Sequence, residues 1–425
     1  MKGDFRMHKT RRTTLLVGLV ALALGLLPVL AGAGACNSKS TFYVPKADTG
    51  ATQQIVSLIR HHDFKNAALL QKMVGKGHAV WFTSGTAAEV QKAVKKTMRQ
   101  AHARHAVPVL VAYDIPGRDC QQYSAGGALD AASYAAWIDG FAKGIGSDKA
   151  IVILEPDGLG LLPSNCGGPK VGYPFSDADR YLELNGAVDR LGLQPNVSVY
   201  LDATHNGWLN VGDASQRLVN AGVNRAAGFF LNVSNYQFTS NLVQYGTWVS
   251  KCIATGSYAG CPNQYWNGGD NGTMIASLLG AWTGVALSPY GVWSDTATDP
   301  ALNTSGYSGR FGGVVPTTHF VIDTSRNGLG PWDYSGKYPD AGTAQDWCNP
   351  PGRGVGIAPT TNTGNALVDA YLWVKVPGES DGSCNRSVAG STTDPEWGGI
   401  VDPAAGAWFP QQALQLAQLA NPALH

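Results

Sequence analysis

Residues 149–160 read KAIVILEPDGLG, an apolar run that stops on Glu155-Pro156-Asp157. The same abrupt ending recurs along the chain. Asp114 and Asp119 follow VPVLVAY, Asp202 and His205 follow VSVYL, and Asn232 and Asn235 follow AAGFFL. Asp323 and Arg326 follow HFVI, and Glu379 and Asp381 follow ALVDAYLWV. A single acid at such a place is as well explained by capping of a local turn. Six apolar segments ending in polar groups instead describe one edge of a sheet, where parallel α/β folds assemble their sites. Carboxyl groups there can hold or move protons. A carboxyl that is to donate a proton at neutral pH needs a desolvated place or a neighbouring negative charge, and ILEPD offers both.

Other chemistries lack their signatures. No GxSxG elbow, phosphate loop or dinucleotide fingerprint follows any apolar run, and the nine His form no HExxH pair. The cysteines show neither CxxC pairs nor nearby His clusters, so neither a structural metal nor a cofactor is expected. Carboxylates remain, in a chain with 12 Trp, 16 Tyr and 53 Gly. Aromatic faces stack on sugar rings and paired acids serve glycoside hydrolysis, which together suit a sugar-chain enzyme. A Trp after a strand is more often core than ligand platform, so the tryptophans as a group carry little weight.

The elements that must position these groups alternate. HAVPVLVAYDIPGRDC precedes a helix near SYAAWIDGFAKGI, KAIVILEPD one near DADRYLELNGAVDRLG, and NVSVYLDATHNGW a short one near DASQRLVNAG. AAGFFLNVSNY, THFVIDTSRNG and ALVDAYLWVKVPGESDG follow. Alternation predicts a parallel sheet, and strands apolar nearly throughout predict that both faces are covered, as in a barrel or a doubly wound sheet. With 44% hydrophobic and 14% charged residues the 425-residue chain can bury a large core. Residues 1–35 read as an export signal, with a basic start, an apolar stretch and small residues before Cys36; a retained anchor, a twin-arginine signal and lipidation at Cys36 are the alternatives. The leader holds Lys2, Arg6, Lys9, Arg11, Arg12 and Asp4, so its removal takes the formal charge from +1 to −3. Nothing in that balance attracts nucleic acid. Past Cys36, six cysteines in an exported chain predict three disulfides.

Seven motifs in order resemble glycoside hydrolase family 6, the cellulases once called family B. They are YDIPGRDC (113–120), ILEPDGLG (153–160), YLDATHNGWL (200–209), LNVSNY (231–236), VIDTSRNG (321–328), DWCNPPG (346–352) and VKVPGESDG (374–382). The resemblance implies a single catalytic domain over 38–425, a distorted seven-stranded parallel β/α barrel that hydrolyses β-1,4-glucan with inversion. By motif, Asp157 matches the general acid. Asp119 matches the acid that keeps the proton on Asp157 and relays one from the attacking water. Asp381 matches the other candidate base, but its motif partners Arg326 and Lys375 are expected to hold it in ion pairs and make it a poor acceptor. Asp202 matches a supporting acid, and Tyr113 the tyrosine that distorts the sugar ring at the cut.

Trp208 and Trp347 match tryptophans that stack on glucosyl units. His205, Asn232, Lys375 and Glu379 match positions that bond hydroxyls, and Ser124 is placed to hold water. The resemblance pairs Cys120 with Cys166 and Cys348 with Cys384, leaving Cys252 and Cys261 to close a small loop. The first loop, RDCQQYSAGGALDAASYAAWIDGF, resembles the open endo-acting type, whereas 381–408 and 237–316 are long enough to cover part of a cleft. The reading is therefore a secreted, monomeric endoglucanase acting on cellulose and cello-oligosaccharides, with no membrane contact in its mature form. A cellobiohydrolase releasing cellobiose from the non-reducing end is the alternative, and a glucan-binding protein without turnover is a third. No carbohydrate-binding module is visible in the sequence, which predicts weaker action on crystalline than on swollen cellulose.

Overall fold

The computed structural model describes residues 41–425 apart from 169–173, 262 and 265–285. The expected export signal over 1–35 and Cys36 lie outside the described residues. Seven strands run in chain order and all pair in parallel: β1 Val80–Phe82, β2 Val109–Ala112, β3 Ala150–Leu154, β4 Val197–Asp202, β5 Gly228–Leu231, β6 His319–Asp323 and β7 Val368–Leu372. The sheet curls so that β1 and β7 approach. There the Ala79 N–H donates to the Trp373 carbonyl at 2.9 Å and the Trp81 indole N–H to the Val374 carbonyl at 2.8 Å. Of the two architectures left open by the pattern, the barrel is the one formed.

Near-continuous apolarity hides an alternation with period two. Val109, Val111, Ile153, Tyr200, Phe230, Val321, Ala370 and Leu372 pack together inside the barrel. Their neighbours Leu110, Ala112, Val152, Leu154, Leu201, Phe229, Leu231, Phe320 and Ile322 join the outer layer of helices. Those helices include α3 Ala87–His102, α4 Ala131–Ile145, α5 Asp177–Gly192, α6 Val211–Asn220 and α7 Thr239–Thr255, while α1 Thr49–Arg60 and α2 Phe64–Val74 precede them in the chain. Capping boxes start two of them, Thr86 with Glu89 on α3 and Ser176 with Asp179 on α5. α3 lies close on α4 because position 140 is Gly: a Cβ there would sit 2.2 Å from the Ala87 carbonyl oxygen. A satellite cluster joins Leu70 and Met73 of α2 to Trp373 and to Ala413, Leu416 and Ala417 of the C-terminal helix Pro410–Gln418.

β1 is the strand that no apolar run announced, since its three residues are too short for a periodicity. The three disulfides are Cys120–Cys166, Cys252–Cys261 and Cys348–Cys384. The second ties the end of α7 to the turn behind it; α7 packs in the barrel's outer layer, so part of the long 237–316 segment is barrel and not cleft cover. No helix among the described residues is long and apolar enough to cross a membrane.

Candidate active site

Beyond the C-terminal strand ends lies a cleft of about 980 Å³. The strand-end polar groups divide into two sets with different work. In the first set the carboxylates face backbone. Glu155, at the end of β3, accepts the Asp114 N–H (3.0 and 3.1 Å) and the Ile115 N–H (3.1 Å) of the turn after β2. Asp202, at the end of β4, accepts from Gly160 (3.2 Å) and Leu159 (3.4 Å) of the turn after β3, and from Thr204 (2.8 Å). Asp323, at the end of β6, accepts from Ser234 after β5 (3.2 Å) and from Val374 and Lys375 after β7 (3.1 and 3.0 Å). Each carboxylate thus pins the turn of a neighbouring strand. Burial pushes Glu155 up to about 7 and Asp202 to about 6, against the N–H bonds that favour their ionised forms.

The second set lines the cleft: Asp119, Asp157, Glu379 and Asp381, with Tyr113, Ser124, His205, Trp208, Trp347 and Lys375. Asp157 leaves the buried β3 through a turn in which Glu155 (φ 51°) and Asp157 (φ 63°) both take left-handed backbone. Such conformations cost on the order of 1 kcal/mol each and persist where surrounding bonds impose them. Here the Asp202 bonds to Leu159 and Gly160 do so. Burial holds the Asp157 carboxyl far above the usual carboxylate range, and the negative charges of Asp202, Asp119 and Asp381 add to it against Lys375.

Asp119 also has left-handed backbone (φ 58°) and receives the Ser124 N–H at 2.6 Å. Burial raises its pKa, opposed by that N–H and by Arg118. Ser124 therefore acts on Asp119 through its backbone. Arg118, unassigned by the sequence reading although it stands inside GRDC, donates to the Thr83 and Ser124 carbonyls at 2.6 and 2.8 Å and lies over the Tyr113 ring at 4.7 Å.

Asp381 contrasts with Asp157. Its Oδ2 accepts from Arg326 (2.8 Å), Asn349 N–H (3.0 Å) and the Tyr236 hydroxyl (3.2 Å), and Lys375 stands 3.4 Å from Oδ1. Burial alone would raise its pKa, but Arg326 and Lys375 outweigh burial and leave it below the ordinary value. Glu379, half-buried beside Lys375, is pushed up to about 7 by desolvation. His205 is lowered to about 4 by burial and accepts the Gly207 N–H at 3.1 Å, so its ring is neutral.

One expectation needs correction. Asn232 does not line the cleft: its amide donates to the Asp323 and Asn235 carbonyls and accepts the Gln237 N–H, which spends it on the fold, and Asn235 lines the cleft instead. Asp202, expected as a supporting acid, stays out of the cleft at 3% exposed and acts on Asp157 through the turn it holds and through its charge. Trp81, Tyr123, Tyr290, Trp332 and Tyr334 line the cleft without having been singled out. Trp81 lies within β1, the strand the sequence did not announce, and the others come from loops whose return to the cleft is a tertiary fact. Among the described residues one group of potential metal donors is close together, Cys384, Asp394 and Asp402, but the Cys384 sulfur is bonded to Cys348 and Asp394 is paired with Arg386.

A parallel barrel whose aromatic cleft holds one carboxyl pushed far above the ordinary carboxylate range and another held below it by ion pairs has a glycoside hydrolase-like site. Residues 37–420 match the family described as "Glycosyl hydrolases family 6", and the chain belongs to that family. It is 34% identical to endoglucanase A of Cellulomonas fimi over 83% of this chain, and 33% identical to a probable 1,4-β-D-glucan cellobiohydrolase C of Aspergillus terreus over 74%. The chain spans 57% and 59% of the lengths of those two relatives. The solved endoglucanase Cel6 of Mycobacterium tuberculosis, in complex with methyl-cellobiosyl-4-deoxy-4-thio-β-D-cellobioside, is 32% identical with a TM-score of 0.60, over 90% of this chain and 98% of that one.

Proposed function

We propose that this protein is a secreted, monomeric endoglucanase that cuts internal β-1,4 bonds of cellulose and related glucans with inversion. The observation that carries the reading is Asp157, a carboxyl held protonated at the end of a buried strand and facing an aromatic cleft. It donates a proton to the leaving glycosidic oxygen. Asp119 lines the same cleft, and its partial burial leaves it basic enough to take a proton from water through a water chain. Asp381 is a weak acceptor, fixed by Arg326, Asn349 and Tyr236, and it steadies positive charge developing on the sugar. Tyr113 sits where it can press the ring at the cut, backed by Arg118 and edge-on to Trp81 at 5.5 Å. Trp208 and Trp347 stack on glucosyl units, while neutral His205, Lys375 and Glu379 bond hydroxyls.

Release of cellobiose from chain ends is the second reading, favoured by one contact. Tyr123, on the loop after Asp119, packs on Gly382, lies 5.8 Å from the Trp347 ring and accepts from Gln345 Nε2 at 3.3 Å. Two cleft walls meet there. The deciding experiment is the viscosity of carboxymethylcellulose plotted against reducing ends released. A steep fall for few ends supports internal cutting; a shallow fall with cellobiose as the main product supports the second reading. An Asp157→Ala protein that hydrolyses as fast as the parent would remove the acid assignment.

A further inference from the structure

We infer that Trp332, Tyr334 and Tyr290 form an additional glucosyl-binding wall of this cleft, one that selects for long chains. The inference rests on the glucan reading above and extends it. These residues lie outside the seven motifs, on two segments far apart in the chain, yet all three line the cleft. The segments meet where Tyr290 and Tyr334 contact edge-on at 5.8 Å.

Trp332 is held as a platform. The Arg386 guanidinium lies 5.4 Å from its ring centroid, and the edges of Tyr338 and Tyr334 stand at 5.7 and 6.4 Å. Arg386 is itself fully buried and fixed, donating to Asp394 (3.0 Å) and to the Ala344, Gln345 and Cys348 carbonyls (3.1, 2.9 and 2.6 Å). The chain before Trp332 is anchored where Arg353 donates to the Pro331 carbonyl at 2.8 Å, and Tyr338 donates to Glu396 at 2.6 Å. A rigid indole half-exposed at a cleft, rather than turned into the core, leaves apolar surface against water. A pyranose ring of a β-linked glucan covers such a surface with its axial C–H face while its equatorial hydroxyls stay wet. The cation behind the indole already belongs to Asp394, so the wall suits a neutral ligand.

The test is calorimetric binding of cellotetraose and cellohexaose to Asp157→Asn protein with and without Trp332→Ala. Trp332→Ala is expected to weaken cellohexaose about tenfold, the scale of one aromatic stacking contact, and to weaken cellotetraose much less. Trp332→Tyr should restore most of the difference. Tyr290→Ala, on the other segment, should lower the hexaose-to-tetraose preference in the same direction and covers the case in which Trp332→Ala does not fold. A preference unchanged in both variants, whether neither length is weakened or both equally, overturns the wall. Failure of the glucan reading looks different: the parent protein then releases no reducing ends from carboxymethylcellulose.

Discussion

Replacing Asp202 by Asn separates holding the acid's turn from burying a charge. In the parent the Asp202 carboxyl is 3% exposed and titrates near 6 rather than 3.8, a difference equivalent to ~3 kcal/mol. The sign follows from which state binds the proton more tightly. The folded protein does, so this penalty is absent below about pH 4, grows between 4 and 6, and is complete above 6. Asn carries no charge, so Asp202→Asn should gain ~3 kcal/mol relative to the parent between pH 4 and pH 7. Against that, an amide NH2 placed where Oδ2 now accepts from Leu159 and Gly160 loses two bonds, roughly 2–4 kcal/mol at every pH. Urea melts of both proteins at pH 4 and pH 7 give the difference, to which Asp157 adds in the same direction because the Asp202 charge no longer raises its pKa in the variant. The variant should be clearly less stable at pH 4 and close to the parent at pH 7. Its kcat should fall on the order of 10–100-fold at pH 7, because the turn that aims Asp157 has lost its anchor. A stability difference independent of pH, or a turnover equal to the parent's, refutes the reasoning.

Arg326→Met leaves Asp381 buried with Lys375 at 3.4 Å as its remaining cation, and urea melts should show a loss of about 3–5 kcal/mol; a loss under ~1 kcal/mol contradicts the ion pair's role. Tyr123 packs on Gly382 from the opposite wall, so Tyr123→Ala should open the cleft there. The viscosity plot should then fall more steeply per reducing end than the parent's. His205 stays uncharged above about pH 4, so His205→Asn should raise KM without moving either limb of a kcat/KM profile between pH 5 and 8; a shifted limb would make His205 a titrating participant.

Strands and helices were legible where local pattern decides them. KAIVILEPD became β3, and DADRYLELNGAVDRLG became α5 over Asp177–Gly192, its start marked by the Ser176–Asp179 box. Which strand-end groups face the cleft was not legible, because Glu155, Asp202 and Asp323 look like Asp157 in sequence. They differ only in which neighbouring turn lies within bonding reach. The same holds for Asn232, whose partners Asp323 and Gln237 are set by the adjoining strand and loop. β1 escaped because three residues show no period, and the Tyr290–Trp332–Tyr334 wall because two loops meet only in the folded chain.

The most direct test of the central claim, that Asp157 is the proton donor, compares kcat of Asp157→Asn on two substrates. One is a cello-oligosaccharide, whose sugar leaving group needs a proton. The other is a 2,4-dinitrophenyl cellobioside, whose leaving group needs none. A loss on the order of 10²–10⁴ on the first with a much smaller loss on the second is the expected result. Equal losses on both, or no loss on the first, would contradict it.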